Sequence, residues 1–306
     1  MKIGIPKGLL YYKYGVFMKT FFKKLGAEII VSPDTNRKIL NEGAKYCVDE
    51  ACLPIKVFHG HVSYLKDKCD AIFIPRIMSI REKEYICPKF CGLTEMIANS
   101  IPGLPFLLGE PIYFTPNEKL VKWALNTGKY LTNDKQKIKS ALENAWLKQN
   151  GTTITIKQPK LKYKVALLGH PYNVYDPFLN MDLVKKLNQL NVEIITEDAV
   201  DDKSIDFEVN KLFKKPFWSF ARNTYGAAVN LAKQKKIDGM VYVSSFACGI
   251  DSVLIELIEH ETPNIPFIVL KIDEHTGEAG FNTRIEAFAD MLGRRLNFAY
   301  NNTAYG

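Results

Sequence analysis

The chain has 306 residues, of which 47% are hydrophobic and 24% are charged, and this balance is ordinary for a globular protein. Its longest apolar runs are far shorter than the ~20 residues of a membrane-spanning helix, and its N-terminus lacks the apolar region of a signal peptide. We therefore expect a cytoplasmic protein with no membrane association. The net charge of +8 comes from scattered lysines and arginines, which argues against nucleic-acid binding and leaves an acidic protein partner open.

Short apolar runs alternate with amphipathic helical patterns through the first third of the chain. The predicted elements are strands at 2–6, 27–33 and 70–77 and helices at 11–26, 34–46 and 54–68. This alternation predicts βαβ units and a parallel sheet. A polar, helix-prone stretch at 118–150 follows, and we expect it to bridge two domains.

A second α/β pattern begins after this polar stretch. The predicted elements are strands at 164–171, 192–198, 238–246 and 266–273 and helices at 177–191, 224–237, 251–262 and 282–296. We therefore predict an α/β fold with two doubly wound parallel-sheet lobes and an interlobe cleft. The expected boundaries are 1–115 for the N-terminal α/β lobe, 116–160 for a helical linker and 161–306 for the C-terminal α/β lobe.

Residue types that carry chemistry follow several of the predicted strands. Cys248, His170 and His275 each follow a strand of the second half, and segment 74–92 follows a strand of the first half. In open parallel sheets, ligands bind just past the carboxyl ends of the strands. The sequence therefore predicts a site in the cleft, where loops of both lobes would face each other.

The cysteines are the most informative of these residues. A reducing cytosol disfavours structural disulfides, so clustered thiols indicate metal ligands or redox groups. Cys87 and Cys248 precede Pro or Gly, and Cys52 precedes Leu-Pro at a predicted helix start, where the helix dipole favours a thiolate. Cysteine thiolates hold iron–sulfur clusters, and flanking Pro or Gly lets the backbone curve around the inorganic core. We predict these three cysteines as cluster ligands, with Cys91 as a candidate fourth ligand and Cys47 able to approach the same site.

Two other interpretations of the cysteines stay open. The thiols could be buried in the core, or four of them could hold a structural zinc ion, although this chain lacks the tight CxxC pairs typical of zinc sites. Cys69 lies at the amino end of a predicted strand, and we expect it to be structural. His59 and His61 project from different sides of a predicted helix, so we expect one buried and one solvated histidine rather than a ligand pair.

Polar residues accompany the predicted site. We expect Arg76, His170, His275 and Glu278 to supply hydrogen bonds or substrate contacts there, as catalytic candidates; the alternative is that they only tie the lobes together. The loop "DEHTGEAG", which holds His275 and Glu278, could equally be a capped helix start. The chain has no P-loop, GxGxxG or GxSxG motif, so ATP and nicotinamide sites of those types are unsupported.

Several motifs together carry a resemblance to known proteins. They are "IPKGLLYY", "VDEACLPIKVFHGHV", "IFIPRIMSI…EYICPKFCGL", "SSFACGIDS" and "IDEHTGEAGFNTRIEAFADML". These motifs, which span nearly the whole chain, resemble the family of proteins related to CoA-substrate-specific enzyme activases. That family is more remotely similar to the subunits of 2-hydroxyacyl-CoA dehydratases, benzoyl-CoA reductase and the double-cubane cluster proteins.

The resemblance implies a function as well as a fold. It implies a 4Fe–4S cluster held between two lobes by Cys52, Cys87 and Cys248 with one iron open, electrons from an ATP-dependent activase, and reduction or dehydration of a small molecule. The chain lacks the activase's nucleotide-binding half, so the donor would be external, and it lacks the additional helical portion of the dehydratase subunits. A non-catalytic electron carrier or interaction module is the alternative, while a double cubane would also require Cys69. A dimer stays open.

Overall fold

The computed structural model describes residues 1–152, 156 and 158–303, with side chains described up to residue 295. Residues 153–155 and 157 of the predicted linker, and residues 304–306 of the predicted C-terminal lobe, lie outside the described residues. Across the described part of the chain, no helix combines the length and the apolar composition that crossing a membrane would take.

The chain forms two compact units. The first comprises Met1–Ile154 and Phe217–Phe220, and the second comprises Thr155–Pro216 and Ala221–Gly306. The predicted helical linker at 116–160 is therefore divided, and most of it is counted with the first unit.

The first unit is built on a parallel four-stranded sheet. Its elements in chain order are β1 (Lys2–Ile5), α1 (Tyr11–Lys24), β2 (Glu28–Val31), α2 (Arg37–Lys45), α3 (Leu53–Leu65), β3 (Ala71–Phe73), β4 (Ile77–Ser79), a 3₁₀ helix (Pro88–Phe90), α4 (Leu93–Ser100), β5 (Phe106–Leu108), β6 (Ile112–Tyr113), α5 (Asn117–Gly128) and α6 (Lys135–Asn150). The strand order is β2-β1-β3-β5, with every neighbouring pair parallel, and β4 and β6 form a separate parallel pair.

Helix α1 provides the aromatic core of the first unit. Apolar residues recur along it at helical spacing, and the chain turns out of the helix at Gly26, whose φ of +92° favours glycine. The Phe17 ring lies 5.7 Å from the rings of Trp123 in α5 and Trp146 in α6, between ring centroids. The helices of the predicted linker therefore bury their aromatic side chains against α1.

Helices α2 and α3 cross at two glycines. A Cβ on Gly43 would lie 1.8 Å from the carbonyl oxygen of Lys56, and one on Gly60 would lie 1.9 Å from that of Ile39. The two backbones therefore approach more closely than any larger residue would allow. This contact holds α3 in place, and Cys52 directly precedes α3.

The second unit is also built on a parallel four-stranded sheet. Its elements are β7 (Tyr163–Gly169), α7 (Pro171–Tyr175), α8 (Leu183–Gln189), β8 (Val192–Thr196), a 3₁₀ helix (Glu197–Ala199), α9 (Asp202–Val209), α10 (Ser219–Lys233), β9 (Gly239–Ser245), α11 (Gly249–Glu261), β10 (Phe267–Ile272) and α12 (Glu278–Thr303). The strand order is β10-β9-β7-β8, again parallel throughout. Every residue of the central strand β9 is buried.

Both sheets share one topology. In each, the second strand in sequence lies at one edge, followed by the first, the third and the fourth. The order reverses between the first and third strands, and open parallel sheets bind ligands outside the carboxyl ends of those strands. In the second unit these strands are β7 and β9, which lead to His170 and Cys248. The predicted α/β class with parallel sheets is confirmed, while the interlobe cleft stays a prediction.

Candidate functional site

Cys52 and Cys248 occupy equivalent positions in the two units. Each is the residue that precedes the first turn of a 13-residue helix, α3 or α11, with extended backbone angles. Neither side chain hydrogen-bonds to the helix that it precedes, so the sulfur is not used as a cap. Because the partial positive charge at a helix N-terminus attracts anions, both positions suit the binding of a negatively charged group.

The segment between β9 and α11 has a backbone feature that brings Cys248 into this position. Ala247 has a φ of +59°, in the left-handed region that a residue with a Cβ rarely adopts. The chain therefore turns sharply between the end of β9 and Cys248. Residues held in such conformations concentrate at functional sites, although the conformation alone assigns no function.

Cys87 also precedes a helical turn, the 3₁₀ helix that begins at Pro88, and its side chain makes no capping hydrogen bond either. The turn ends at Cys91, whose sulfur lies 3.6 Å from the sulfur of Met78. Cys87 and Cys91 line a cavity of about 220 Å³ in the first unit. Its remaining walls are mainly apolar or aromatic side chains: Ile77, Met78, Tyr85, Ile86, Pro88, Phe217 and Trp218.

The aromatic wall of this cavity is fixed by backbone hydrogen bonds. The Tyr85 N–H donates to the carbonyl of Phe217 at 3.1 Å, and the Ser219 N–H donates to the carbonyl of Tyr85 at 2.8 Å. The Tyr85 and Phe217 rings stack with centroids 4.8 Å apart. The cavity beside Cys87 therefore has walls held by both backbone and ring contacts.

Cys47 lies near Cys52 in the first unit. Burial raises the pKa of the Cys47 thiol to about 12; the charges of Lys56 and Lys89 oppose this rise, whereas the neighbouring Cys52 adds to it. Lys89 belongs to the turn that follows Cys87, so the Cys52 region and the Cys87 turn lie within electrostatic range of the same thiol. The charges that act on the Cys47 thiol therefore come both from α3 and from the turn that follows Cys87.

Lys56 is a residue of this region that the sequence did not single out. It lies one helical turn after Cys52 in α3, only 2% of its surface is exposed, and its Nζ donates to the carbonyl of Asp49 at 2.8 Å. A buried ammonium group favours nearby negative charge, as thiolates or a cluster would supply. The sequence could have pointed to Lys56, because it is a charged residue within a helix whose other residues are mostly apolar.

Cys69 differs from the three cysteines that precede helical turns. Its sulfur donates to the carbonyl of Leu65 at 3.2 Å, and burial raises the pKa of its thiol. Cys69, which we expected to be structural, thus carries a neutral and hydrogen-bonded thiol. Within the described part of the chain, which includes all six cysteines, no two of them form a disulfide.

A buried polar cluster surrounds Cys248. The His170 Nε2 lies 3.9 Å from the Cys248 sulfur and 3.2 Å from the Asp251 Oδ1. Asp251 also accepts hydrogen bonds from the Tyr242 hydroxyl and the Ser244 hydroxyl, each at 2.8 Å. The ligand-type atoms of His170, Cys248 and Asp251 lie within 4.8 Å of one another, so this group could hold a metal ion.

His170 and Asp251 behave as a buried ion pair. Burial by itself would lower the pKa of His170, but the Asp251 charge and hydrogen bond, with the Cys248 thiol, raise it well above its usual value. Burial by itself would raise the pKa of Asp251, but His170 and the two hydroxyl donors hold it below its usual value. Each residue therefore favours the charged form of the other.

Comparisons with known proteins bear on this arrangement. The family model described as CoA enzyme activase uncharacterised domain matches residues 2–200, and the one described as 2-hydroxyglutaryl-CoA dehydratase, D-component, matches residues 125–292. The chain belongs to these two families. A comparison with curated proteins finds no match. The suspected resemblance to activase-related and dehydratase-like proteins is therefore confirmed.

The two matches divide the candidate residues between them. The activase-domain match includes Cys52 and Cys87, and the dehydratase D-component match includes Cys248 and Asp251. Residues 125–200 lie in both matches and include His170. Each cysteine that precedes a helical turn is therefore within a segment that one of the families defines.

The other predicted polar residues lie in different surroundings. The His275 side chain is 86% exposed and approaches Glu274 at 3.9 Å, while Glu278 forms an ion pair with Lys186 at 2.6 Å. The Arg76 Nη1 pairs with Glu95 at 2.8 Å. Of the four predicted catalytic candidates, the structure places His170 directly beside a predicted ligand.

His59 and His61 are both buried, so the expectation that one of them is solvated is wrong. The His61 Nδ1 is 2.9 Å from the Ser32 hydroxyl, and its Nε2 is 3.1 Å from the Thr35 hydroxyl. The His59 Nδ1 is 2.8 Å from the carbonyl of Ile55. Helix α3 is enclosed on nearly every side in the first unit, so opposite helix faces do not imply opposite exposure.

The burial of His61 predicts a loss of stability in acid. Burial, reinforced by the Lys7 charge, lowers its pKa to about 3, whereas an unfolded histidine titrates near about 6.5. Since only the unfolded state binds the proton between these values, stability is full above pH ~6.5 and falls as the pH drops toward ~3. We expect His61 to contribute a loss of about 2 kcal/mol between pH 7 and pH 5. Urea unfolding at both pH values should give a smaller difference for His61→Gln, and an unchanged difference would contradict this.

Proposed function

We propose that this chain binds a 4Fe–4S cluster through Cys52, Cys87 and Cys248 and uses electrons from an ATP-dependent activase to reduce or dehydrate a small molecule. One observation carries the proposal: the three cysteines predicted as ligands are the ones that precede helical turns with sulfurs not used as caps. Cys69 and Cys47 are left out of the proposed ligand set, because the Cys69 sulfur donates to the carbonyl of Leu65 and burial raises the pKa of both thiols.

The donor set fits a cluster of this kind. Thiolates hold such clusters, and surrounding N–H groups and local charges set the potential. The N-termini of α3 and α11 and the buried Lys56 supply positive potential where Cys52 and Cys248 would carry negative charge. Pro88 and Gly249 follow their cysteines directly, which leaves room for the backbone to curve.

A bound cluster would supply low-potential electrons and an iron that can act as a Lewis acid. The chain's own residues would supply the surroundings. Lys56 would offset negative charge near Cys52, and His170 would direct an N–H group toward Cys248. The apolar cavity beside Cys87 would exclude water from the adjacent sulfur.

The family descriptions support the choice of partners. One description names a CoA enzyme activase uncharacterised domain, which supports an activase as the external electron donor. The other names the D-component of 2-hydroxyglutaryl-CoA dehydratase, which supports a small molecule linked to CoA as the substrate. The proposed partners are therefore the ATP-dependent activase, as electron donor, and a small-molecule substrate.

The proposal is tested by metal analysis of the anaerobically purified chain. We expect a brown protein with about four irons and about four acid-labile sulfides per chain. Stoichiometric zinc without labile sulfide would replace the proposal with a structural metal site. A folded protein without any metal would instead support ordinary buried thiols.

A second candidate function, electron transfer without catalysis, is favoured by the position of Cys91. This exposed thiol lines the same cavity as Cys87, so it is available as a fourth ligand. Four thiolates would leave no iron open to substrate. Cyanide should change the spectrum of a cluster with an open iron and leave a fully cysteine-ligated cluster unchanged, and Cys91→Ser should make the latter sensitive.

A further inference from the structure

The hydrogen bonds around Asp251 converge on one imidazole. The Asp251 Oδ1 accepts from the Tyr242 hydroxyl and lies 3.2 Å from the His170 Nε2, while its Oδ2 accepts from the Ser244 hydroxyl. The exposed fraction of each of these side chains is 4% or less. A second pair, Ser245 to Asn173 at 3.1 Å, links the end of β9 to the helix that follows His170.

The proton on the His170 Nε2 has two acceptors. A carboxylate oxygen cannot donate, so the nitrogen that faces it carries the hydrogen. The same nitrogen lies 3.9 Å from the Cys248 sulfur, at the outer range of a hydrogen bond to sulfur. One N–H is therefore shared between the Asp251 Oδ1 and the Cys248 sulfur. The hydrogen bond to the sulfur weakens as the Oδ1 atom attracts this N–H more strongly.

Asp251 is better suited to position His170 than to bind a metal. Three donors already approach its two oxygens, and a metal at this carboxylate would compete with the Tyr242 and Ser244 hydroxyls. Carboxylates that hold an imidazole in this way fix the orientation of its ring and its tautomer. The face of the imidazole ring also stacks on the Tyr172 ring, with centroids 5.1 Å apart, which restricts its position further.

We propose that His170 donates a hydrogen bond to the Cys248 sulfur, that Asp251 with Tyr242 and Ser244 positions it, and that this network raises the reduction potential of the group that Cys248 binds. The inference rests on the proposed function, because it requires a redox-active group at Cys248. Hydrogen bonds to ligand sulfurs stabilise the added negative charge of the reduced state. The network thus sets how readily this centre accepts an electron.

Two kinds of substitution should shift the potential in the same direction. His170→Leu removes the donor, so the potential should become more negative, while His170→Gln keeps an N–H group and should recover part of the shift. Tyr242→Phe removes one donor from the Asp251 Oδ1. That oxygen then attracts the His170 N–H more strongly, away from the sulfur, and the potential should become more negative by a smaller amount.

The experiment is a redox titration of the anaerobically prepared full chain, followed by electron paramagnetic resonance. Tyr175→Phe is the matched control, because it removes a tyrosine hydroxyl that bonds to Asp198 and Thr196 in the same unit. Iron content and unfolding temperature are measured for every variant. We expect Tyr175→Phe to keep the wild-type potential even where its unfolding temperature falls.

The outcomes separate the inference from the function on which it rests. Wild-type protein without iron would overturn both. Iron-loaded His170→Leu and Tyr242→Phe with wild-type potentials would overturn the inference alone, as would an equal shift in Tyr175→Phe. If His170→Leu does not fold, the comparison of Tyr242→Phe with Tyr175→Phe still decides the result.

Discussion

Serine at Cys52, Cys87 or Cys248 is expected to abolish iron incorporation, whereas serine at Cys69 should leave it intact. A serine hydroxyl is a poor replacement for a thiolate ligand, and each of the three cysteines precedes a helical turn with its sulfur not used as a cap. Cys69 instead donates to the carbonyl of Leu65, a bond that a serine hydroxyl can replace. Iron and labile sulfide are measured after anaerobic reconstitution.

Serine substitutions at two further cysteines test which thiols are not needed as ligands. Cys47→Ser should retain iron, because burial holds the Cys47 thiol neutral. Cys91→Ser should also retain iron if three thiolates suffice. Circular dichroism checks that each variant is folded. The proposed assignment would be contradicted if Cys248→Ser kept its full iron while Cys91→Ser lost it. All ligands would then belong to the first unit.

Alanine at Gly60 is expected to destabilise the first unit strongly. Its Cβ would lie 1.9 Å from the Ile39 carbonyl oxygen and 2.8 Å from the carbonyl carbon, so helices α2 and α3 would have to move apart. Overpacking of this kind costs about 3 kcal/mol, which outweighs the gain in helix propensity. Urea unfolding measures the change, and iron content should fall with it because Cys52 directly precedes α3.

Gly92→Ala is the matched control for this substitution. A Cβ at Gly92 meets nothing within 4 Å, and the residue lies at the start of α4 in the same unit. Its effect should stay within about 0.5 kcal/mol. Equal stability of Gly60→Ala and Gly92→Ala would mean that the two helices can separate at little cost, contrary to the close approach described above.

The fold class could be predicted because alternating strands and helices leave a strong pattern, yet the exact elements depended on local chemistry. The strand predicted at 70–77 is two strands, β3 and β4, because Pro75 cannot donate to a sheet. The helix predicted at 177–191 begins only at Leu183. Met181 and Asp182 have φ values of +53° and +57°, in the left-handed region, so a right-handed helix cannot run through them.

The polar helical stretch shows how two signals can conflict. Its composition favours a linker, but the buried residues of α6 recur at helical spacing: Ile138, Ala141, Leu142 and Ala145. That spacing indicates a helix that packs on one face, and α6 does contribute Trp146 to the aromatic core around α1. The positions of the few apolar residues therefore predicted the packing of this segment better than its overall polar composition did.

The candidate site was predictable in its sulfurs and less so in its surroundings. Proline and glycine beside the cysteines, and their positions after strands, were visible in the sequence. Asp251, by contrast, reads as an ordinary acid in the first turn of a helix, and Tyr242 and Ser244 read as strand residues. Their role arises because alternate residues of β9 project toward the same side as α11, which is a tertiary relation.

The Mössbauer spectrum of the chain, reconstituted anaerobically with isotopically enriched iron, tests the central claim most directly. Three thiolate ligands predict a cubane cluster in which one iron has parameters distinct from the rest and shifts when cyanide is added. Serine at Cys248 should remove that spectrum. A spectrum of equivalent, fully cysteine-ligated irons that is unaffected by cyanide, or the absence of bound iron from folded protein, would contradict the account.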